Sequence, residues 1–145
     1  MPLLVSWNVL CWNVHGLYSE AKQLALSNAI NSSGCAVICL QETKKPSFDL
    51  SFIKSCCPRR FDQFAFVPSR GASGGIVTIW NSTIFTADVL MSEDFALVTR
   101  FKSMQSAQSW TLVNVYGPCQ GLHSHTWGRG LARSLYMALF LWHGG

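Results

Sequence analysis

Ala36-Val37-Ile38-Cys39-Leu40-Gln41-Glu42-Thr43-Lys44-Lys45 is the stretch on which the fold turns. Five consecutive apolar residues give way abruptly to five polar ones. An apolar run this short, with no alternation, suits a strand covered on both faces. Val9 to Val14 is a second strand candidate, ended by Gly16. Between the two, Ser19 can cap a helix that runs through Asn31. Ala21, Leu24, Ala25 and Ala29 would share one face of it, and Ser32, Ser33 and Gly34 would end it. Strand, helix and buried strand make a βαβ unit with a right-handed crossover. The chain is therefore read as α/β or α+β.

Working outward, Phe48 to Cys57 reads as a short helix, and after it the pattern turns to strands. Phe64 to Val67, Ile76 to Trp80, Phe85 to Met91, Phe95 to Phe101 and Trp110 to Tyr116 are the candidates. The polar segment Ser103 to Ser109 suits a hairpin loop between the last two. Pro68 to Gly75 is a glycine-rich loop entering a strand. By itself it is a weak phosphate-binding signal, because the lysine and following helix of a P-loop are missing. From Gly121 the texture changes: no acidic residue follows Asp94, and the chain closes on Gly144 and Gly145. Residues 121–145 are expected to be an unrelated tail, with Leu131 to Trp142 forming a short helix or the whole remaining disordered.

The 145 residues amount to one domain, and only 12% are charged against the usual quarter. Hydrophobic residues make up 49% and the mean hydropathy is +0.22. This excludes a disordered or acidic-tail protein. It also leaves little charge to coat a surface, as if something that covers the chain were absent. The net charge of +4 is a mild bias toward polyanions, far short of a basic stripe. The first residues lack a basic start and a long apolar run, so no signal peptide is expected. Leu131 to Trp142 includes Arg133 and falls short of the about 20 residues a membrane span needs. These features imply an intracellular protein, nuclear or cytoplasmic, without a membrane partner. Cys56 and Cys57 are adjacent, Cys35 and Cys39 lie in or beside the apolar run, and no Cys-x-x-Cys occurs; reduced, mostly buried thiols are expected.

Three clusters stand at strand ends: Trp12-Asn13-Val14-His15-Gly16-Leu17, Leu40-Gln41-Glu42-Thr43-Lys44 and Asn114-Val115-Tyr116-Gly117-Pro118. In a βαβ unit the carboxyl ends of the parallel strands meet at one edge, so Asn13 and Glu42 can face one crevice. A carboxylate beside a carboxamide is hard-oxygen chemistry. It suits Mg²⁺, which keeps most of its waters and takes only one or two protein carboxylates. The plainer alternative is that Glu42 ends a strand and Asn13 closes a turn.

These clusters, with Ser73-Gly74-Gly75-Ile76, together resemble the endonuclease/exonuclease/phosphatase superfamily. They look most like the endonuclease domain of LINE-type (non-LTR) retrotransposons, a relative of the apurinic/apyrimidinic endonucleases. The resemblance spans roughly residues 3 to 120, the first half of such a domain. It implies a four-layer α/β sandwich and hydrolysis of a phosphodiester in DNA with Mg²⁺ or Mn²⁺. It further implies that Glu42 binds the divalent ion with Asn13 beside it, and that Tyr116 offers its phenol to the scissile phosphate. Lys44 and Arg70 are candidate contacts to the phosphate backbone.

Departures from the family pattern are as informative. The family supplies an Asp-x-Asn segment on a later strand, to activate the attacking water, and an Asp-His pair near the domain's end. Here Asp49, Asp62, Asp88 and Asp94 are the only aspartates; none has Asn two positions on and none precedes a histidine. His15 stands where relatives of this branch often carry Arg. Cys119, His123 and His125 lack a fourth ligand and a frame for zinc. Ser6-Trp7-Asn8-Val9 nearly repeats Cys11-Trp12-Asn13-Val14 at a spacing of five, which reverses a strand's faces. Gly16 and Leu17 favour Asn13 as the site residue, with Asn8 the alternative. The expectation is a truncated, inactive nuclease remnant whose partner is DNA if it is active at all. The exposed sheet would otherwise pair with the missing half-domain or with a second copy. The rivals are an active superfamily phosphatase or nuclease, and a non-catalytic binding module.

Overall fold

A computed structural model describes residues 7–106, 108–116 and the strand at 137–143. The βαβ unit forms as the sequence suggests. Strand β1 (Val9–Asn13) leads through helix α1 (Glu20–Ser33) to β2 (Val37–Gln41), and the two strands pair in parallel. The Ser19 side chain accepts from the Lys22 N–H at 3.1 Å, which fixes the start of α1. Gly34, at φ +61°, turns the chain out of the helix. The buried face differs from the sequence reading: Leu26 and Ile30 are fully buried, whereas Leu24 is 63% exposed. Alanines offer too little apolar area to orient a helix. A Leu and an Ile one turn apart, each worth about 1.5–3 kcal/mol when covered, decide the face.

After α2 (Leu50–Cys56), β3 (Gln63–Val67) and β4 (Ile76–Trp80) complete a first sheet of order β1-β2-β4-β3, with β4 antiparallel to both neighbours. The second sheet is antiparallel throughout. It contains β5 (Phe85–Glu93), β6 (Ala96–Ser103), β7 (Ser109–Val115) and β8 (Met137–His143), in that order. The helices cover one face of the first sheet, where Ile38 and Leu40 pack with Leu26, Ile30, Ile53 and Phe61. The other face meets the second sheet through Val37, Cys39, Trp80, Phe85, Phe101, Trp110 and Leu112. Phe101 and Trp110 stack there at 4.7 Å between centroids. Alternate residues of β2 thus enter two different cores, which is why its run is apolar at every position. Helices and two sheets make three layers among the described residues.

The tail reading needs correction over its last part. Residues 137–143 are a strand rather than a helix, paired along all of β7 from Ser109↔His143 to Val115↔Met137. A short apolar run does not by itself distinguish helix from strand, and the open edge of β7 offers a ladder of hydrogen bonds that the run can complete. Residues 121–136, with His123 and His125, lie outside the described residues, as does Cys119. Among the described residues no helix is long and apolar enough to cross a membrane.

A candidate active site at the strand ends

Because β1 and β2 run parallel, their carboxyl ends lie side by side, closing on the registered pair Asn13↔Gln41. The loops beyond stay zipped together. Val14 N–H donates to Gln41 O at 3.1 Å, Gly16 N–H to Glu42 O at 2.7 Å, and Leu17 N–H to Thr43 O at 3.0 Å. This fixes Asn13 and Glu42 at one crevice. The Asn13 Oδ1 accepts the His15 N–H at 3.1 Å, which uses one of its two lone pairs. Its Nδ2 is buried with no hydrogen-bond partner. An unpaired buried donor is suited to an anionic oxygen. The geometry therefore casts Asn13 as a donor to phosphate more readily than as a metal ligand.

Glu42 is largely buried, and each of its oxygens has a nitrogen neighbour. Oε2 lies 2.9 Å from His15 Nδ1, and Oε1 lies 4.0 Å from Lys44 Nζ. His15, Glu42 and Lys44 all adopt left-handed backbone, at φ +50°, +54° and +57°. Such conformations are uncommon for residues other than glycine and gather at functional sites.

The glycine-rich loop has a structural task that its composition did not reveal. Thr43 N–H donates to Gly75 O and Lys44 N–H to Gly74 O, at 3.1 and 2.9 Å. A Cβ on Gly75 would lie 2.4 Å from Thr43 Oγ1, and one on Gly74 would lie 3.7 Å from the Tyr116 ring. The glycine pair is thus the spacer between the Glu42 loop and Tyr116, and lets both approach one edge. Tyr116 follows β7, half-buried against Val67, Ile76 and Leu97, with its N–H bonded to Phe95 O at 2.8 Å. Lys44 remains at the crevice. Arg70 is directed elsewhere, paired with Asp94 at 2.9 Å and 3.1 Å. Asn8 holds the end of α1 instead of the site, its Nδ2 donating to Ser33 O at 3.1 Å.

Gln41 and Asn114 belong to the site's support, a role that reading the sequence did not assign to them. Gln41 Nε2 donates to Asn114 Oδ1 at 2.7 Å across the two sheets, both side chains being buried. Asn114 Nδ2 in turn donates to Val77 O at 3.0 Å and Thr78 Oγ1 at 3.1 Å. The signal was available: Gln41 closes an apolar strand, and Asn114 stands between two valines near the end of another.

Among solved structures, the catalytic domain of Xenopus laevis APE2 matches with a TM-score of 0.53 and 22% identity, over 76% of this chain and 45% of that one. The AP endonuclease LMAP from Leishmania major matches with a TM-score of 0.53 and 25% identity, over 74% of this chain and 39% of that one. The fold is that of the endonuclease/exonuclease/phosphatase superfamily. This chain spans less than half the length of either superfamily neighbour. No protein-family model and no curated protein matches the sequence.

The resemblance set out above implies a divalent metal, and the donor set here fits only one coordination style. Among the described residues no three His, Cys, Asp or Glu side chains are placed to hold an ion. Glu42 alone would serve an ion such as Mg²⁺ that keeps most of its water. An ion that needs a protein cage, such as structural zinc, does not fit.

Proposed function

We propose that this chain derives from a Mg²⁺- or Mn²⁺-dependent DNA endonuclease of LINE-retrotransposon type, and that by itself it does not cleave DNA. The observation that carries this reading is the convergence of Asn13, Glu42 and, across the Gly74–Gly75 spacer, Tyr116 on one strand-end edge. Glu42 would hold the ion, which when bound supplies charge stabilisation for the dianionic transition state. The free Asn13 Nδ2 would donate to a phosphate oxygen, and Tyr116 would present a phenol to the same group. Lys44 would meet the DNA backbone. Arg70 would do so only by leaving Asp94.

The missing part is the base. Asp49 caps α2 through the Phe52 N–H, and Asp62 binds Ser82. Asp88 pairs with Arg100 and Asp94 with Arg70. Every aspartate of the chain is committed to a structural partner, and none supports activation of a water at the crevice. We read residues 1–120 as the superfamily part and residues 121–145 as a segment of separate origin, with DNA as the ancestral partner and an intracellular setting. An Asp-Phe-Asn-like stretch in another reading frame downstream of the Gln120 codon would support that boundary.

The test pairs binding with catalysis. Mn²⁺ binding, followed by paramagnetic resonance of the free ion, should be present in the chain and absent in Glu42→Gln. Supercoiled plasmid incubated with the chain and Mg²⁺ should stay supercoiled. Nicking that disappears in Glu42→Ala would overturn the inactive reading, and metal binding unchanged in Glu42→Gln would overturn the site.

A further inference from the structure

The face of the first sheet that turns toward the second carries two cysteines side by side. Cys11 on β1 and Cys39 on β2 are register partners, so their side chains emerge on the same face, next to Val9 and Val37. Strands in a sheet lie about 4.8 Å apart, inside the Cα separation of roughly 4.4–6.8 Å that a disulfide spans. The two thiols differ in access. Cys39 is fully buried, whereas Cys11 is exposed, because β1 is the edge strand of its sheet. One sulfur can meet a solute, and the other waits behind it. Cys56 and Cys57 also lie close, at 3.9 Å between sulfurs, but both are buried and present no first point of attack.

We propose that Cys11 and Cys39 form a peroxide-reactive dithiol site that closes a cross-strand disulfide. The Cys11 sulfur attacks the O–O bond of a hydroperoxide, giving Cys11–SOH and the alcohol, or water from hydrogen peroxide itself. The Cys39 sulfur then displaces that oxygen as water, and an S–S bond forms. Two thiols and one hydroperoxide yield one disulfide, one alcohol and one water; the thiols are oxidised and the peroxide reduced. The bond would tie the edge strand to β2 in the row next to Asn13 and Gln41 on the same face. It depends on neither Glu42 nor metal, and so stands apart from the nuclease reading.

The experiment uses the reduced full chain. It is treated with hydrogen peroxide, quenched with N-ethylmaleimide under denaturing conditions and mapped by mass spectrometry. The expected product is a monomer whose linked Cys11–Cys39 peptide pair is two hydrogens lighter than the reduced peptides, with Cys56 and Cys57 alkylated. Dithiothreitol should restore both thiols. Cys11→Ser, at an exposed position, should leave Cys39 alkylated after peroxide. The proposal is overturned if Cys11 stays alkylatable, if it accumulates as sulfinic acid beside a free Cys39, or if it links to a second chain.

Discussion

Gln41 and Asn114 lie between the two sheets where apolar contact would be the simpler solution. Gln41 Nε2 and Asn114 Oδ1 are satisfied by one another. Gln41 Oε1 already lacks a partner, so a further loss there is costly. Asn114→Leu leaves Gln41 Nε2 buried and unpaired, and is expected to cost about 1–3 kcal/mol in urea unfolding. Gln41→Leu should cost a similar amount by orphaning Asn114 Oδ1. The double variant is expected to cost less than the sum of the two single losses, because neither carboxamide is then left stranded by loss of the other. Additive losses would instead show that the two carboxamides act independently. At this scale the sequence was legible where chemistry is distinctive: Glu42, Asn13 and Tyr116 stand at strand ends that meet at one edge. It was opaque for Arg70, whose partner Asp94 lies on a different hairpin. Pairing across such a separation leaves no local pattern.

The Gly74–Gly75 spacer acts between elements, joining the β2 end to the start of β4. Gly75 has φ +92° and faces Thr43 Oγ1, so an added methyl group meets both a strained backbone and a collision. Gly75→Ala is expected to lower stability by about 1–3 kcal/mol and to weaken Mn²⁺ binding by displacing the Glu42 loop. Calorimetry and the resonance titration read the two effects separately. Asp62 binds the segments before β3 and after β4 through Ser82, with bonds of 2.9 Å to its N–H and 2.6 Å from its hydroxyl. Burial pushes the Asp62 carboxyl up, but the Ser82 bonds outweigh it and leave the group below its ordinary value. A lowered value in the folded chain means stability that is present above the unfolded value and lost as pH falls through the folded one. Between neutral pH and about pH 3, Asp62→Asn should therefore lose less stability than the parent, as measured by urea midpoints. Strands and helices were legible at this scale from their runs, with the ends of β5 to β7 shifted by one or two residues. The buried face of α1 was not, since it follows from which side chains the sheet below can accept. Nor was β8, which follows from an edge that only tertiary pairing creates.

Across the whole molecule, the low charge and high apolar content have a visible outlet on the second sheet. Strand β5 is its edge, and Val89, Leu90 and Met91 are exposed by 49%, 50% and 42%. Edge strands with consecutive exposed apolar residues present unpaired backbone groups and a greasy surface to any similar strand. The ladder slips between Val89 and Met91, so Leu90 stands in a bulge that bends the edge. Acidic residues flank the patch at Asp88 and Glu93, and Asp88 is paired with Arg100. One local distortion and a partly neutralised flank are modest protection for so long an edge. Light scattering over a concentration series is expected to show the mass rising above that of the monomer. Met91→Lys, which adds a charge to an exposed edge position without touching either core, should return the chain to monomer while leaving its unfolding midpoint within about 0.5 kcal/mol of the parent. A parent chain that is monomeric throughout the series would show that the bulge alone blunts the edge. Association that persists in Met91→Lys would move the contact to another surface.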